Sequence, residues 1–435
     1  MSMHCFECLG EYFLYDIESG ALHVVDRIVY DYLQGDISCY SKNQIDEVID
    51  ELQQLTDNGL LYTNPPQVPR QIKERVIKSL CLHVSHDCNL RCKYCFAGQG
   101  AYHGDRLNMS IDIALASIDF LIANSGTRHN LEVDFFGGEP LLNLDVLKKT
   151  VEYANAQGAI YNKQFLFTTT TNGLLLNKET SDYLNQTMEN VVLSLDGRKS
   201  VNDELRVTAG NKGSYDLIVD KYRYFRSIRG NKSYYVRGTF TALNLDFCAD
   251  VLHIADLGFD QISLEPVVLS KGDVLEIRQE HLQTIFRQYE ILAKEYIERR
   301  QNGRWFSFFH FVLDLENSPC YKKKLSGCGA GVKYLAVAPN GDIYPCHQFV
   351  GEKEYCMGNV QSGVIDESIR DIFASTDLTT KPKCASCWAK YHCSGGCNAN
   401  AIHFNNDISV PYEISCEIFK KRLECALYIY SKAHE

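Results

Sequence analysis

The stretch Leu80-Cys81-Leu82-His83-Val84-Ser85, followed by Cys88-Asn89-Leu90-Arg91-Cys92-Lys93-Tyr94-Cys95, decides how this chain is read. The first half is an apolar, strand-like run. The second half is a C-x3-C-x2-C loop set directly on its end. Three thiolates on one short loop suit three irons of a [4Fe–4S] cluster and leave the fourth iron open to a ligand. A zinc loop is the other chemistry such cysteines could serve, with His83 or His86 completing the set.

Outward from that loop, apolar runs recur at Leu131–Phe136, Gln164–Thr170, Asn190–Leu195, Tyr234–Thr241 and Gln261–Val267. Amphipathic stretches such as Ile111–Ala123 and Leu144–Ala156 separate them. Strand alternating with helix predicts right-handed βαβ units and a parallel sheet. Six such strands suit a partial barrel, in which chemistry gathers at the strands' C-terminal ends. The motifs sit there. Phe136-Gly137-Gly138-Glu139-Pro140 ends the second strand, where paired glycines let backbone approach a ligand and Glu139 can receive an ammonium group. Ser194-Leu195-Asp196-Gly197 ends the fourth, and Arg206 follows as a possible partner for a carboxylate.

The flanks differ from this core. Residues 1–66 hold twelve carboxylates against Arg27 and Lys42, which is −10 of the chain's net −11. That asymmetry marks a separate module and argues against nucleic acid, which needs clustered Lys and Arg. The module reads as a hairpin, Tyr12–Ile17 and Ala21–Val25, then a short helix carrying Ile28, Val29, Tyr32 and Leu33. A second helix opens at Ser41 and Gln44 with capping-box spacing. Leu60–Tyr62 is placed as a strand returning to the sheet, which makes a small winged-helix-like pattern. A linker occupies 67–77, opened by the proline-rich run Pro65-Pro66-Gln67-Val68-Pro69. Beyond about residue 306 the rhythm gives way to glycines and cysteines and ends in the apolar helix Ile414–Ser431.

The chain has 435 residues, 45% hydrophobic and 23% charged, with 18 cysteines. Nine of these lie from Cys320 to Cys416. No apolar run approaches the ~18 residues of a membrane span, and the N-terminus lacks a secretion signal. A cytoplasmic protein is expected, and in a reducing compartment its cysteines point to metal.

Together the three-cysteine loop, its Tyr94 and the Gly-Gly-Glu-Pro run resemble the radical S-adenosylmethionine (SAM) superfamily over about residues 78–270. The resemblance implies that SAM chelates the open iron and is cleaved to a 5′-deoxyadenosyl radical, with Tyr94, Gly138, Glu139, Ser194, Arg206 and Leu264 as its contacts. Cys384-x2-Cys387-x5-Cys393-x3-Cys397, with Cys416, Cys346, Cys328 and Cys320, resembles a SPASM domain holding two auxiliary [4Fe–4S] clusters. By that resemblance cluster I takes Cys320, Cys328, Cys346 and Cys397, and cluster II takes Cys384, Cys387, Cys393 and Cys416. The expected fold is therefore α/β: a leader-recognition module (1–66), a partial (β/α)6 barrel (78–305) and a SPASM domain (306–435).

The run Asp16–Asp26, Cys328-Gly-Ala-Gly331 and Tyr344–Gly351 are similar to maturases of Cys-rich (SCIFF and ranthipeptide) precursors. This implies thioether formation, with a peptide Cys sulfur joined to a carbon of another residue and an external flavodoxin or ferredoxin supplying electrons. The alternatives are another SPASM peptide cross-linking reaction, a non-catalytic leader-binding scaffold with structural metals, or a sulfatase maturase that oxidises Cys or Ser to formylglycine. That family carries Asp directly after the cysteine matching Cys346, where this chain has His347. The catalytic base is not assigned; His347 and Glu265 are candidates by location.

Overall fold

The computed structural model describes residues 3–65, 75–315 and 321–434. They form two compact units, neither continuous in sequence. Cys320 and most of the linker 67–77 lie outside the described residues.

The first unit gathers Met1–Ile72, Gln279–Gly327 and Asp377–Glu435. Its N-terminal part is an antiparallel sheet of β1 (Met3–Cys8), β2 (Glu11–Asp16) and β3 (Leu22–Val25), in that order. The middle strand is buried on both faces at Phe13, Leu14, Tyr15 and Asp16. Leu14 packs with Val29, Val48, Leu52 and Leu61 beneath the helices Arg27–Gln34 and Lys42–Asp57. On the other face, Phe13 meets Tyr428 of the long helix Glu413–His434 edge to face. The helix Leu282–Gln301 packs along that same C-terminal helix, and Ser307–Phe308 forms the short β10.

Two features depart from the sequence reading. Strand β1 is added to the hairpin, and Leu60–Tyr62 forms no strand. Leu61 is instead sunk into the helical core, and Tyr62 takes a left-handed φ of 52°, which ends extended pairing. The capping box at Ser41 is present: the Ser41 hydroxyl accepts from Gln44 N, and the Gln44 side chain accepts from Ser41 N at 3.0 Å. Ser41→Ala should cost about 1 kcal/mol in chemical denaturation.

The second unit comprises Lys73–Arg278 and Cys328–Thr376. Strands β4 (Ser79–Ser85), β5 (Asn130–Gly137), β6 (Gln164–Thr171), β7 (Asn190–Ser194), β8 (Ser233–Phe240) and β9 (Gln261–Pro266) pair in parallel in that order. The helices between them include Ile111–Asn124 and Leu144–Tyr161. This is the parallel α/β sheet that the alternating pattern predicts. On β5 and β6, residues alternate between buried and partly exposed, so Leu131, Val133 and Phe135 seal against helices while Asp134 and Phe136 take the opposite face. Past β4 the sheet continues through β11 (Tyr334–Val337), which is parallel to it. Antiparallel β12 (Asp342–Tyr344), β13 (Gly358–Asn359) and β14 (Val364–Ile365) follow.

Candidate functional site

The cysteine loop lies at the C-terminal end of β4, anchored without help from its thiols. Arg91 N donates to Val207 O at 2.7 Å and Lys93 N to Leu205 O at 2.9 Å, while Leu90 is buried and bridges to Thr208. The Gly137-Gly138 turn docks on the loop's entry. Gly138 N donates to Ser85 O at 2.8 Å and Glu139 N to Asp87 O at 2.9 Å. This approach requires glycine: a Cβ on Gly137 would sit 2.2 Å from Ser85 O, and one on Gly138 would sit 2.1 Å from Asp87 O.

The donors fit an iron–sulfur cluster. Burial, then Glu139 and the neighbouring Cys92 and Cys95, push the Cys88 thiol up to about 12. Leu90 N and Asn172 Nδ2 point at the Cys88 sulfur from 3.4 and 3.5 Å, an arrangement that favours a thiolate once a cation is present. The zinc alternative finds less support. His83 Nδ1 and His86 Nε2 lie 3.2 Å apart, and both rings pack on Tyr102. Among the described residues, no three His, Cys, Asp or Glu side chains close on a point for a single ion.

Glu139 is fully buried. Its Oε1 accepts from Thr171 Oγ1 at 2.8 Å and Leu141 N at 3.1 Å, and its Oε2 accepts from Asn172 N at 2.8 Å. These donors make it a brace between the ends of β5 and β6. Burial lifts its carboxyl to about 7. Tyr94 and Arg206 meet at a residue that the sequence left without a role. The Tyr94 hydroxyl donates to Asp196 at 2.7 and 2.9 Å, Arg206 Nε pairs with Asp196 Oδ1 at 3.0 Å, and the guanidinium lies over the Tyr94 ring. Thr239 N donates to the same carboxylate at 2.9 Å. Asp196 thus ties the ends of β7 and β8 to the cysteine loop. Its only sequence signal was its place before Gly197. Ser194 ends β7, its carbonyl accepting from Tyr222 OH. Leu264 is buried on β9 opposite Gly238, where a Cβ would come within 2.5 Å of it.

Cys328 and Cys346 belong to this same unit, Cys346 buried and Cys328 exposed. Next to Cys346, the His347 ring lies 5.3 Å from Phe136, with its Nδ1 3.2 Å from Tyr334 OH. Burial and then Arg237 push the imidazole down to about 4, so it is neutral at physiological pH. Glu265 stands on β9, partly exposed. Asp134 lies on the same face as Phe136, one pleat deeper. Burial lifts its carboxyl to about 7 against the opposing pull of Arg237 and the Cys81 thiol. The folded chain therefore keeps a proton there, between about pH 4 and 7, that the unfolded chain releases. The resulting stabilisation is full at the acid end of that window and fades as pH rises through about 7. Asp134→Asn should shrink the stability difference between about pH 5 and pH 7.5 in urea unfolding, by up to ~3 kcal/mol.

In the first unit, Cys384, Cys387, Cys393 and Cys416 form a second set. Burial, then Cys393 and Cys384, push Cys416 up to about 12, and burial, then Cys384 and Cys387, raise Cys393. Four thiols are the number that full ligation of a [4Fe–4S] cluster takes. Cys397 is exposed in this unit.

Two stretches of the chain match iron–sulfur family models. Residues 78–217 match the family model of a 4Fe-4S single cluster domain, and 328–397 match SPASM, an iron-sulfur cluster-binding domain. The cysteine-type anaerobic sulfatase-maturating enzyme of Clostridium novyi is 24% identical over 80% of this chain and 95% of its own. The radical SAM cyclopropyl synthase TigE of Paramaledivibacter caminithermalis is 24% identical over 79% and 72%. Streptococcus suis SuiB, solved bound to its precursor peptide SuiA, superposes with a TM-score of 0.54 at 17% identity, covering 94% of this chain and 97% of that one. Among the described residues no helix is long and apolar enough to cross a membrane. The fold is the α/β fold of radical SAM enzymes with a C-terminal SPASM match, and both matched models describe iron–sulfur cluster domains.

Proposed function

We propose that this chain matures a ribosomally made, Cys-rich peptide by closing thioether bonds between Cys sulfur and carbon. The observation that carries the reading is the acidic three-stranded sheet of residues 3–25. Strand β3 is its edge, with Val24 exposed, and an extended leader can add there as a further strand. The excess of carboxylates around it suits a leader carrying Lys or Arg, whose binding weakens as salt rises.

In this reading Cys88, Cys92 and Cys95 hold a cluster with one open iron. Charged with SAM and an electron from a flavodoxin or ferredoxin, that cluster supplies hydrogen-atom abstraction from carbon. Gly138, Ser194 and Leu264, with Tyr94 and Arg206 held by Asp196, would be the residues that hold SAM. The Cys384, Cys387, Cys393 and Cys416 set would hold one auxiliary cluster, and Cys328 and Cys346 would supply ligands to another. Such clusters would supply an acceptor for the electron released on forming a sulfur–carbon bond.

The similarity to a sulfatase-maturating enzyme favours a second reading, oxidation of Cys or Ser to formylglycine. His347, in place of that family's Asp, weighs against it. Co-expression with a short Cys-rich peptide encoded beside this gene separates the two. Thioether closure removes two hydrogens per modified Cys and keeps the sulfur, whereas loss of sulfur with a new aldehyde overturns it.

A further inference from the structure

The segment between two cysteines of the Cys384 set, Trp388-Ala389-Lys390-Tyr391-His392, is gripped almost residue by residue by the N-terminal sheet within the first unit. Lys390 Nζ donates to Glu18 Oε1 at 2.6 Å, and Tyr391 OH donates to Glu18 Oε2 at 2.7 Å. This ion pair is nearly dry: the Glu18 side chain keeps 4% of its exposure and Lys390 keeps 14%. Tyr15 OH lies 2.8 Å from His392 Nε2. The His4 ring stacks on Trp388 with centroids 3.7 Å apart and planes within 7°, and His4 Nε2 reaches Glu424 at 3.0 Å on the C-terminal helix that also carries Cys416. The contacts come from β1, β2 and the turn after β2, and they land between Cys387 and Cys393.

A surface ion pair contributes little, but removing one partner of a buried pair leaves an uncompensated charge. A four-residue α-helical turn (Lys390–Cys393) has too few internal hydrogen bonds to hold its own shape. The position of Cys393 relative to Cys387 therefore depends on what holds the residues between them. A carboxylate that fixes a ligand-bearing segment acts on the metal as outer partners of ligands do.

We propose that Glu18, seconded by Tyr15 and His4, is a positioning residue for the auxiliary cluster at Cys384, Cys387, Cys393 and Cys416, so that order in the N-terminal sheet and retention of that cluster are linked. The inference rests on reading those cysteines as cluster ligands. By reciprocity, whatever engages the sheet steadies the cluster, and loss of the cluster loosens the sheet. The module placed to receive a peptide is thereby joined to a redox centre through one carboxylate.

The test uses anaerobically reconstituted full-length protein. Its readouts are iron release to a chelator, the electron paramagnetic resonance (EPR) signal of the reduced cluster, and amide exchange over residues 3–25. Glu18→Gln should speed loss of the Cys384-set cluster by about tenfold or more and alter its signal. The cluster at Cys88, Cys92 and Cys95 should be unchanged. Lys390→Arg, which keeps the charge, should rescue most of the retention that Lys390→Met loses. Glu18→Gln with Lys390→Met removes both buried charges and restores stability, yet should still release iron fast, which separates positioning from simple misfolding. In the other direction, Cys393→Ser should raise exchange in β1–β3. Release rates equal to wild type in Glu18→Gln, or exchange unchanged in Cys393→Ser, overturn the linkage. Wild-type protein that holds no iron at the Cys384 set overturns the reading of those cysteines instead.

Discussion

Reduced, iron-loaded Cys92→Ala protein should release no 5′-deoxyadenosine above background from SAM, and its iron content should fall by about four. The size of the effect follows from the donor set. Three thiols occupy the loop, and His83 and His86 are turned to one another. The loop itself should survive, because its course is set by backbone bonds from Arg91 and Lys93 to Val207 and Leu205 and by the buried Leu90. An unaltered urea midpoint alongside lost activity identifies a missing ligand rather than a collapsed barrel. Chromatography of the nucleoside products checks the activity. Retention of wild-type cleavage would mean that SAM is not handled at this loop.

Asp196→Asn should destabilise the barrel unit by about 3–5 kcal/mol, the largest stability loss expected from one substitution here. Asp196 has no exposed surface and faces three donors: the Tyr94 hydroxyl, Thr239 N and the Arg206 guanidinium. An amide cannot balance the buried cation, and it turns an NH2 group toward groups that donate. SAM cleavage should fall with stability, since Tyr94 and Arg206 lose their common anchor. Urea unfolding of Asp196→Asn, Arg206→Met and the double variant closes a thermodynamic cycle. The double variant should recover much of the loss, because no charge then stays buried alone. A cycle that sums without coupling would show that the pair is not an interacting unit.

The parallel strands were legible because each is a short apolar run separated from the next by an amphipathic stretch, and β4–β9 match those runs to within a residue or so. The turn glycines were legible for a local reason too, since only a missing Cβ allows the approach at Gly137 and Gly138. What escaped depends on partners far away in the chain. Strand β1 is a local exception, pairing with β2 across Leu9-Gly10. Tyr334–Val337 is too short to announce itself and becomes a strand by lying along Ser79–Leu82. Glu139 was expected to face a ligand by its position in the motif, yet the donors of Thr171, Leu141 and Asn172 converge on it. The grip of Glu18 on Lys390 and Tyr391 spans more than 370 positions, a separation that no local pattern encodes.

The N-terminal sheet has a consequence for biosynthesis. Phe13 and Cys8 lie against Tyr428 and Cys425 of the helix Glu413–His434, so one face of β1 and β2 finds its cover only when residues 413–434 are made. At usual translation speeds that delay is about 20–80 s, during which an apolar strand stays open to wrong pairings. A ribosome that stalls before residue 413 would leave a product whose first strands are sticky. Chaperone demand during production should therefore track the arrival of the final helix rather than the completion of the barrel.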